Sequence, residues 1–333
     1  MRKLVTCILL VVCCRDKIIA QVDPHFSQFY AYPLWLNPGL TGVMEGDYRV
    51  TAIYRNQWRN VTTPFSTIGV SADVATNKNL NIGANVINQS AGDGGYKYLN
   101  AYVSIAYSGL RFGTDQSQQI TFGIQAGLLS RRFDLSKFQF GDQWNPITGY
   151  NPGAATADLM IAGNSSSVFD AGAGVSYTDN TADKKVNFFG GAGAFHLTKP
   201  EDPFVNSGIK KMLPVRYAFH AGARINLSEN ASITPNLLYL KQGNAQEKMV
   251  GIFGSIKANE MTDFLLGVNY RFEDAISPYL GLGYQNFLLG LSYDVNNSQL
   301  GKAATGTNSF EISFTWTGRG SGKPLRYLSC PRL

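Results

Sequence analysis

The sequence predicts an all-β protein: a transmembrane β-barrel of the outer-membrane kind, with about 14 antiparallel strands. Three observations carry this. The first is a period of two that recurs along the chain and is clearest between Thr262 and Tyr293. There Phe264, Leu266, Val268, Tyr270 and Phe272 alternate with Leu265, Gly267, Asn269, Arg271 and Glu273. Leu280, Leu282 and Tyr284 then alternate with Tyr279, Gly281, Gly283 and Gln285, and Phe287, Leu289, Leu291 and Tyr293 with Leu288, Gly290, Ser292 and Asp294. The non-greasy face is rich in Gly, Ser, Asn and Gln, which suits a crowded, wet lumen. Tyr and Phe frame the greasy face near strand ends, as an aromatic girdle does. The second observation is composition. Gly is 35 of 333 residues and charged residues are 16%, against usual shares of about 7% and about 25%. Half of each strand would face lipid and tolerate few charges. The third is that no uninterrupted apolar run near 18 residues follows the first 20, so no membrane helix is expected.

Residues 1–20 read as an export signal. Arg2 and Lys3 form the positive start, Leu4 to Val12 the apolar segment, and cleavage after Ala20 fits the pattern. The charged Arg15-Asp16-Lys17 between core and cut is unusual. Cleavage leaves 25 basic and 22 acidic groups, a net of +3, too small to argue for nucleic acid. It also leaves Cys330 as the one remaining cysteine, so no internal disulfide framework exists.

Residues 21–47 hold Pro24, Pro33 and Pro38 among Phe26, Phe29, Tyr30, Tyr32 and Trp35. Proline at this density excludes a regular helix or a central strand, yet the aromatics demand burial. The segment is expected to be extended and packed in the lumen or against the rim. Strands follow over residues 48–318, at Tyr48–Trp58, Phe65–Val74, Asn79–Asn88, Tyr98–Ser108, Gln119–Ser130, Val168–Tyr177, Val186–Leu197, Val215–Leu227, Ala231–Lys241 and Lys248–Ala258. The three strands above come next, and Ser309–Thr317 is the last. Single-chain bacterial barrels have even strand numbers, which agrees with fourteen. Alternation lapses in Arg131–Ser167 and Thr198–Pro214, both rich in Gly or Pro and read as long loops. Residues 319–333 form a short basic tail.

Chemistry is sparse. His25, His196 and His220 lie in different segments, none at a zinc-type spacing. No G-x-S-x-G elbow supports an embedded hydrolase. Gly172–Gly174 and Gly190–Gly193 are not phosphate cradles; they read as inward strand positions where a neighbour comes close. No cofactor, metal or catalytic residue is expected. Candidate plug or partner-binding residues are Phe26, Tyr30 and Trp35 in the N-terminal segment, Tyr54, Arg55, Gln57 and Trp58 at a strand end, and Phe138, Phe140 and Trp144 in the first long loop. The strand-end patch reads either as a rim girdle or as a docking edge. The loop aromatics either pack into the barrel mouth or bind something.

At several of these places the chain resembles the PorP/SprF family of Bacteroidetes outer-membrane proteins. The blocks are Gln21-Val22-Asp23-Pro24-His25-Phe26-Ser27-Gln28-Phe29-Tyr30, Pro33 to Gly42, Tyr54-Arg55-Asn56-Gln57-Trp58, Phe140-Gly141-Asp142-Gln143, Phe195-His196-Leu197 followed by Pro200, and Cys330-Pro331-Arg332. The leader, with Arg15 to Lys17, departs from the pattern. The resemblance implies a barrel in the cell outer membrane, without catalytic activity, serving type IX secretion and gliding motility. Its implied partners are outer-membrane lipid and either a secreted cell-surface adhesin or a periplasmic peptidoglycan-binding lipoprotein. A passive pore or small-solute transporter is the alternative that residue patterning leaves open.

Overall fold

A computed structural model describes residues 23–59, 63–76, 78–113, 116–156, 164–202, 204, 211–298 and 308–319. Fourteen long strands make one closed antiparallel barrel. They are β1 (Tyr48–Gln57), β2 (Phe65–Val74), β3 (Leu80–Ala91), β4 (Tyr96–Phe112), β5 (Gln118–Arg132), β6 (Ser165–Asp179), β7 (Val186–Phe195), β8 (Arg216–Asn226), β9 (Ala231–Gln242), β10 (Ala245–Asn259), β11 (Thr262–Arg271), β12 (Ala275–Tyr284), β13 (Phe287–Asn296) and β14 (Ser309–Gly318). Each pairs with its neighbours in sequence, and β1 closes on β14 from Tyr48 opposite Gly318 to Gln57 opposite Ser309. Closure leaves no open sheet edge, the condition for strands to cross hydrocarbon.

The period of two decides which face meets lipid. Leu266 and Leu280 are each 56% exposed on the outside, while Leu265 and Tyr279 beside them are buried within. Aromatic pairs ring both ends, as at Tyr48–Trp316 and Phe112–Tyr177 at one and Tyr54–Phe310 and Trp58–Phe65 at the other. The two ends differ in their connections. At one end, where β1 begins and β14 ends, no connection exceeds six residues. The other end carries residues 133–164, 196–215 and 297–308. Several strands run further than alternation suggests, β4 and β6 most of all. The first long loop is also more ordered than expected. It has 3-10 turns at Leu135–Lys137 and Gly141–Gln143, and Trp144–Asn145 pairs with Gly149–Tyr150.

The core of this protein lies inside the barrel. Residues 23–47 run down the lumen, from Asp23 at the long-loop end to Asp47 at the short-turn end. There Asp47 donates its N–H to the Gly318 carbonyl at 2.9 Å and accepts from Ala75 at 2.7 Å. The segment is not extended. It is a chain of turns: a 3-10 turn at Phe29–Ala31, a single α-helical turn at Pro33–Leu36 and a 3-10 turn at Pro38–Leu40. The prolines that forbid a long helix permit these, because Pro33 and Pro38 sit at first-turn positions where the missing N–H has no partner to lose. Phe26 packs edge-on against Tyr32 at 5.7 Å and Trp35 at 5.2 Å. With Phe29, Leu36, Leu40 and Val43 they form one buried cluster that also takes in Phe189 and Phe195 of the wall.

Candidate functional site

Two ionic clusters fix the upper part of this plug to the wall. The first centres on Arg55, an inward residue of β1 whose side chain is fully buried. Arg55 pairs with Asp294 of β13 at 2.8 Å and with Glu311 of β14, and donates to the Ser27 hydroxyl at 2.8 Å. Glu311 accepts the backbone N–H groups of Ser27 at 2.6 Å and Gln28 at 2.8 Å. Asp294 accepts from the Ser27 hydroxyl at 2.8 Å and from Arg271 of β11 at 2.9 Å. Two arginines and two carboxylates from four strands thus converge on one turn of the plug. Such a cluster is tolerable in a buried site because its charges are paired and hydrogen-bonded. His25 borders it. Burial, with Arg55 and Arg271 beside it, pushes the His25 imidazole well below its ordinary value, so it is neutral at pH 7.

The second cluster holds the upper end of the plug. His196, just past β7, donates from Nδ1 to Asp170 of β6 at 2.6 Å and from Nε2 to Asp23 at 2.7 Å. Asp170 also accepts from the Tyr102 hydroxyl at 2.6 Å. Arg216 reaches Asp23 at 3.3 Å while its guanidinium lies over the rings of Phe195 at 4.1 Å and Trp35 at 4.8 Å. Burial alone would lower the His196 pKa, but Asp23 and Asp170 outweigh it and hold the imidazole at about 9. Both ring nitrogens therefore carry protons at neutral pH. Burial likewise opposes the Asp23 charge, yet His196 and then Arg216 hold that carboxyl well below the usual range.

Lower down, the wall is shaved to receive the plug. A Cβ on Gly123 of β5 would land on the Pro38 carbonyl, and one on Gly174 of β6 on the Asn37 side-chain oxygen. Asn37 accepts from the Gly39 N–H at 2.8 Å and donates to the Val175 carbonyl at 2.9 Å. At the short-turn end Arg49 pairs with Asp73 at 2.7 Å and donates to the Leu40 and Val43 carbonyls at 3.2 Å each.

The sequence candidates fall into separate places. Phe26, Tyr30 and Trp35 lie in the lumen. Arg55 and Gln57 point inward and are buried, while Tyr54 packs beside Phe310 and Trp58 beside Phe65 at the rim. Phe138 and Phe140 stack at 6.1 Å and Phe138 leans on Phe133, so part of the loop packs upon itself. Trp144 is 54% exposed and Ile147 94% exposed at the loop's far side. Sequence reasoning did not single out Asp23, Asp170, His196, Arg216, Arg271, Asp294 or Glu311 as site residues. Inward parity on strands was the available signal for most of them; which residues they would meet, mostly far off in the chain, had none. Among the described residues no group of His, Cys, Asp and Glu could hold a metal ion.

A closed membrane barrel with its own N-terminal segment seated in the lumen is the class these features define. Residues 18–316 match the family described as the type IX secretion system membrane protein PorP/SprF, and the chain belongs to that family. Among solved structures it is similar to the Pseudomonas putida toluene transporter TodX, at 9% identity and a TM-score of 0.50 over 88% of this chain and 94% of that one. It is also similar to the Ralstonia pickettii toluene transporter TbuX, at 10% identity and a TM-score of 0.49 over 86% and 93%. A Pseudomonas aeruginosa FadL homologue aligns at 11% identity and a TM-score of 0.46 over 84% and 92%. These likenesses concern the barrel fold alone. A search of curated proteins finds no match.

Proposed function

We propose that this chain is a non-enzymatic barrel of the outer membrane that serves type IX secretion as a docking platform, holding a secreted surface protein at its long-loop end. The observation that carries the reading is the plug. A passive pore needs an open lumen with a lined constriction. Here Phe26, Phe29, Tyr32, Trp35 and Leu36 fill the lumen, and ion pairs at Asp23 with hydrogen bonds from Ser27 and Gln28 to buried wall carboxylates tie the segment to the wall on several sides. Small cavities of about 10 and 20 Å³ remain beside it in the upper and middle lumen, room for about one water each.

The long-loop end supplies a surface for a protein. Trp144 and Ile147 are exposed on the loop after β5, and Met212 is 52% exposed on the loop after β7. Aromatic and aliphatic groups held on an ordered loop are the usual anchors of protein interfaces. Short turns usually face the periplasm in barrels of this kind, and in this reading the long loops face outward. The test is a cross-linked pull-down of the tagged protein from intact outer membranes, repeated with Trp144→Ala/Ile147→Ser. Recovery of one large secreted surface protein, diminished in the variant, is the expected result. A peptidoglycan-binding lipoprotein recovered instead would place the partner on the inner side. Recovery of abundant neighbours alone, together with steady conductance in planar bilayers, would overturn the docking reading in favour of a pore.

A further inference from the structure

Toward the long-loop end the outer face of β4 and β5 turns from apolar to basic. β4 presents Tyr107, Ile105, Val103, Ala101 and Leu99 outward, and then Lys97. Leu128 of β5 and Phe169 of β6 are exposed on the same face and end the same apolar band. The ten residue steps from Tyr107 to Lys97, at about 3.4 Å each and a strand tilt of about 40°, climb about 26 Å. The outward apolar band of such barrels is about 25 Å tall. Lys97 therefore stands where hydrocarbon gives way to headgroups.

The strand register sets Lys97 directly opposite Arg132, the last residue of β5, and both are exposed. Like charges in that relation repel. Lys137, in the 3-10 turn after β5, adds a third cation, its side chain beside Gly95 of the β3–β4 turn. Asp134 shares this corner, but its carboxylate accepts from the Ser136 N–H at 3.2 Å and hydroxyl at 2.6 Å. Among the described residues none of the three cations forms an ion pair or a side-chain hydrogen bond. Ser90 of β3 lies opposite Lys97 and Ser165 of β6 opposite Arg132, both exposed on the outer face. An anion between the two opposed cations turns their repulsion into charge-assisted hydrogen bonds. The serine hydroxyls can donate to its remaining oxygens. An acyl chain joined to such an anion runs down over Leu99, Leu128 and Phe169. A phosphorylated lipid supplies both parts, whereas a soluble anion uses the cations alone.

We propose that Lys97, Arg132 and Lys137 bind the phosphorylated headgroup of a lipid in the leaflet at the long-loop end. Lys97 and Arg132 grip the phosphate from neighbouring strands, Lys137 closes over it from the loop, and the acyl chains lie on the apolar face below. With the long loops facing outward, this is the outer leaflet. The site is separate from protein docking and does not depend on it.

The test is native mass spectrometry of the full barrel released from nonionic micelles that hold diphosphoryl lipid A, its dephosphorylated form, or inorganic phosphate. The expected result is a retained adduct with diphosphoryl lipid A and weak binding of the other two. Affinity should fall about twenty-five-fold in Lys97→Gln/Arg132→Gln, two basic groups at about fivefold each. The exchange Lys97→Arg/Arg132→Lys keeps both charges and should keep the adduct. Lys185→Gln, in the exposed turn after β6 at the opposite end, should leave it unchanged. In micelles without lipid A, Lys97→Gln should melt no lower than the parent, because it relieves a like-charge pair; that measurement also shows that the variant is folded. Equal retention of dephosphorylated lipid A would reduce the site to apolar contact, and equally tight inorganic phosphate would make it a site for a free anion. Either result, or an affinity unmoved in Lys97→Gln/Arg132→Gln, would overturn the proposal.

Discussion

Replacing Arg55 with methionine should release the upper part of the plug. The arginine side chain is wholly buried and satisfies two carboxylates, Asp294 and Glu311, as well as the Ser27 hydroxyl. Arg271 stays with Asp294, so the variant leaves Glu311 as the carboxylate without a cationic partner. Breaking a buried pair by removing one side costs about 3–5 kcal/mol, a large part of a total stability of about 5–15 kcal/mol. The barrel ladder keeps its own hydrogen bonds, so the loss should fall first on the plug. Seating is read from Ala31→Cys in a Cys330→Ser background, because Ala31 is 1% exposed beneath the cluster. A membrane-impermeant maleimide should label that thiol slowly in the parent and rapidly in Arg55→Met. Urea unfolding in micelles should show the matching loss. The double variant Arg55→Met/Glu311→Gln removes one charge of each sign, and the amide oxygen it introduces can still accept from the plug backbone. It should therefore recover about 1–3 kcal/mol relative to the single variant. If Arg55→Met unfolds within about 0.5 kcal/mol of the parent and the Ala31→Cys thiol stays protected, the ionic cluster does not hold the plug.

The same thiol assay reads the other contacts. His196→Ala leaves Asp23 and Asp170 without the imidazolium that each binds and should free the upper end of the plug at a cost of about 3 kcal/mol, the worth of raising a histidine from 6.5 to about 9. In the native protein the His196 contribution is complete below its ordinary pKa of 6.5 and is lost as pH rises through about 9. The Asp23 contribution is present above the ordinary 3.8 and is lost as pH falls toward its depressed folded value. Labelling near the upper end should therefore be slowest between about pH 4 and 6.5 and should quicken above about pH 9. Gly123→Ala should expose the plug thiol while the barrel stays closed, because the added methyl meets the Pro38 backbone rather than a movable side chain; continued protection there would show that the floor can yield. Trp144→Ala should leave urea unfolding within about 0.5 kcal/mol of the parent, as a surface change does.

Much of the fold is legible in the sequence because lipid enforces a simple rule. Each strand must put apolar groups outward at every second position, so Phe264 to Phe272 and Leu280 to Tyr284 reveal their faces without any partner being known. Closure follows from backbone pairing in hydrocarbon, and an even strand number from closing a sheet that is antiparallel throughout. The lumen obeys no such rule. Its residues are chosen by what stands opposite them, and opposite residues lie far apart in the chain, as Arg55 and Asp294 do. A patch such as Arg55-Asn56-Gln57 at a strand end reads equally as rim or as edge until the far wall is placed. The prolines of residues 24–38 exclude long helix, but they do not show that the segment folds into single turns with Pro33 and Pro38 at the openings. The glycines of β6 and β7 reveal a close approach, though not that Asn37 is what approaches.

The placement of charge separates a plug built to stay from one built to move. A segment meant to leave readily would be expected to rest on weak, exposed contacts. This one is pinned at Ser27 and Gln28 by Glu311, at Asp23 by His196 and Arg216, and at its lower end by Arg49 with Asp73. The charge-assisted hydrogen bonds that these groups make to the segment are made only while it is seated. Both ends of the plug are therefore tied to the wall, and its middle lies on glycine positions with no slack for a side chain. A lumen closed in this manner leaves the long-loop end and the short-turn end as the surfaces a soluble molecule can reach. A plug tied in this way should keep solute from passing, and steady conductance of the intact protein in planar bilayers would refute it.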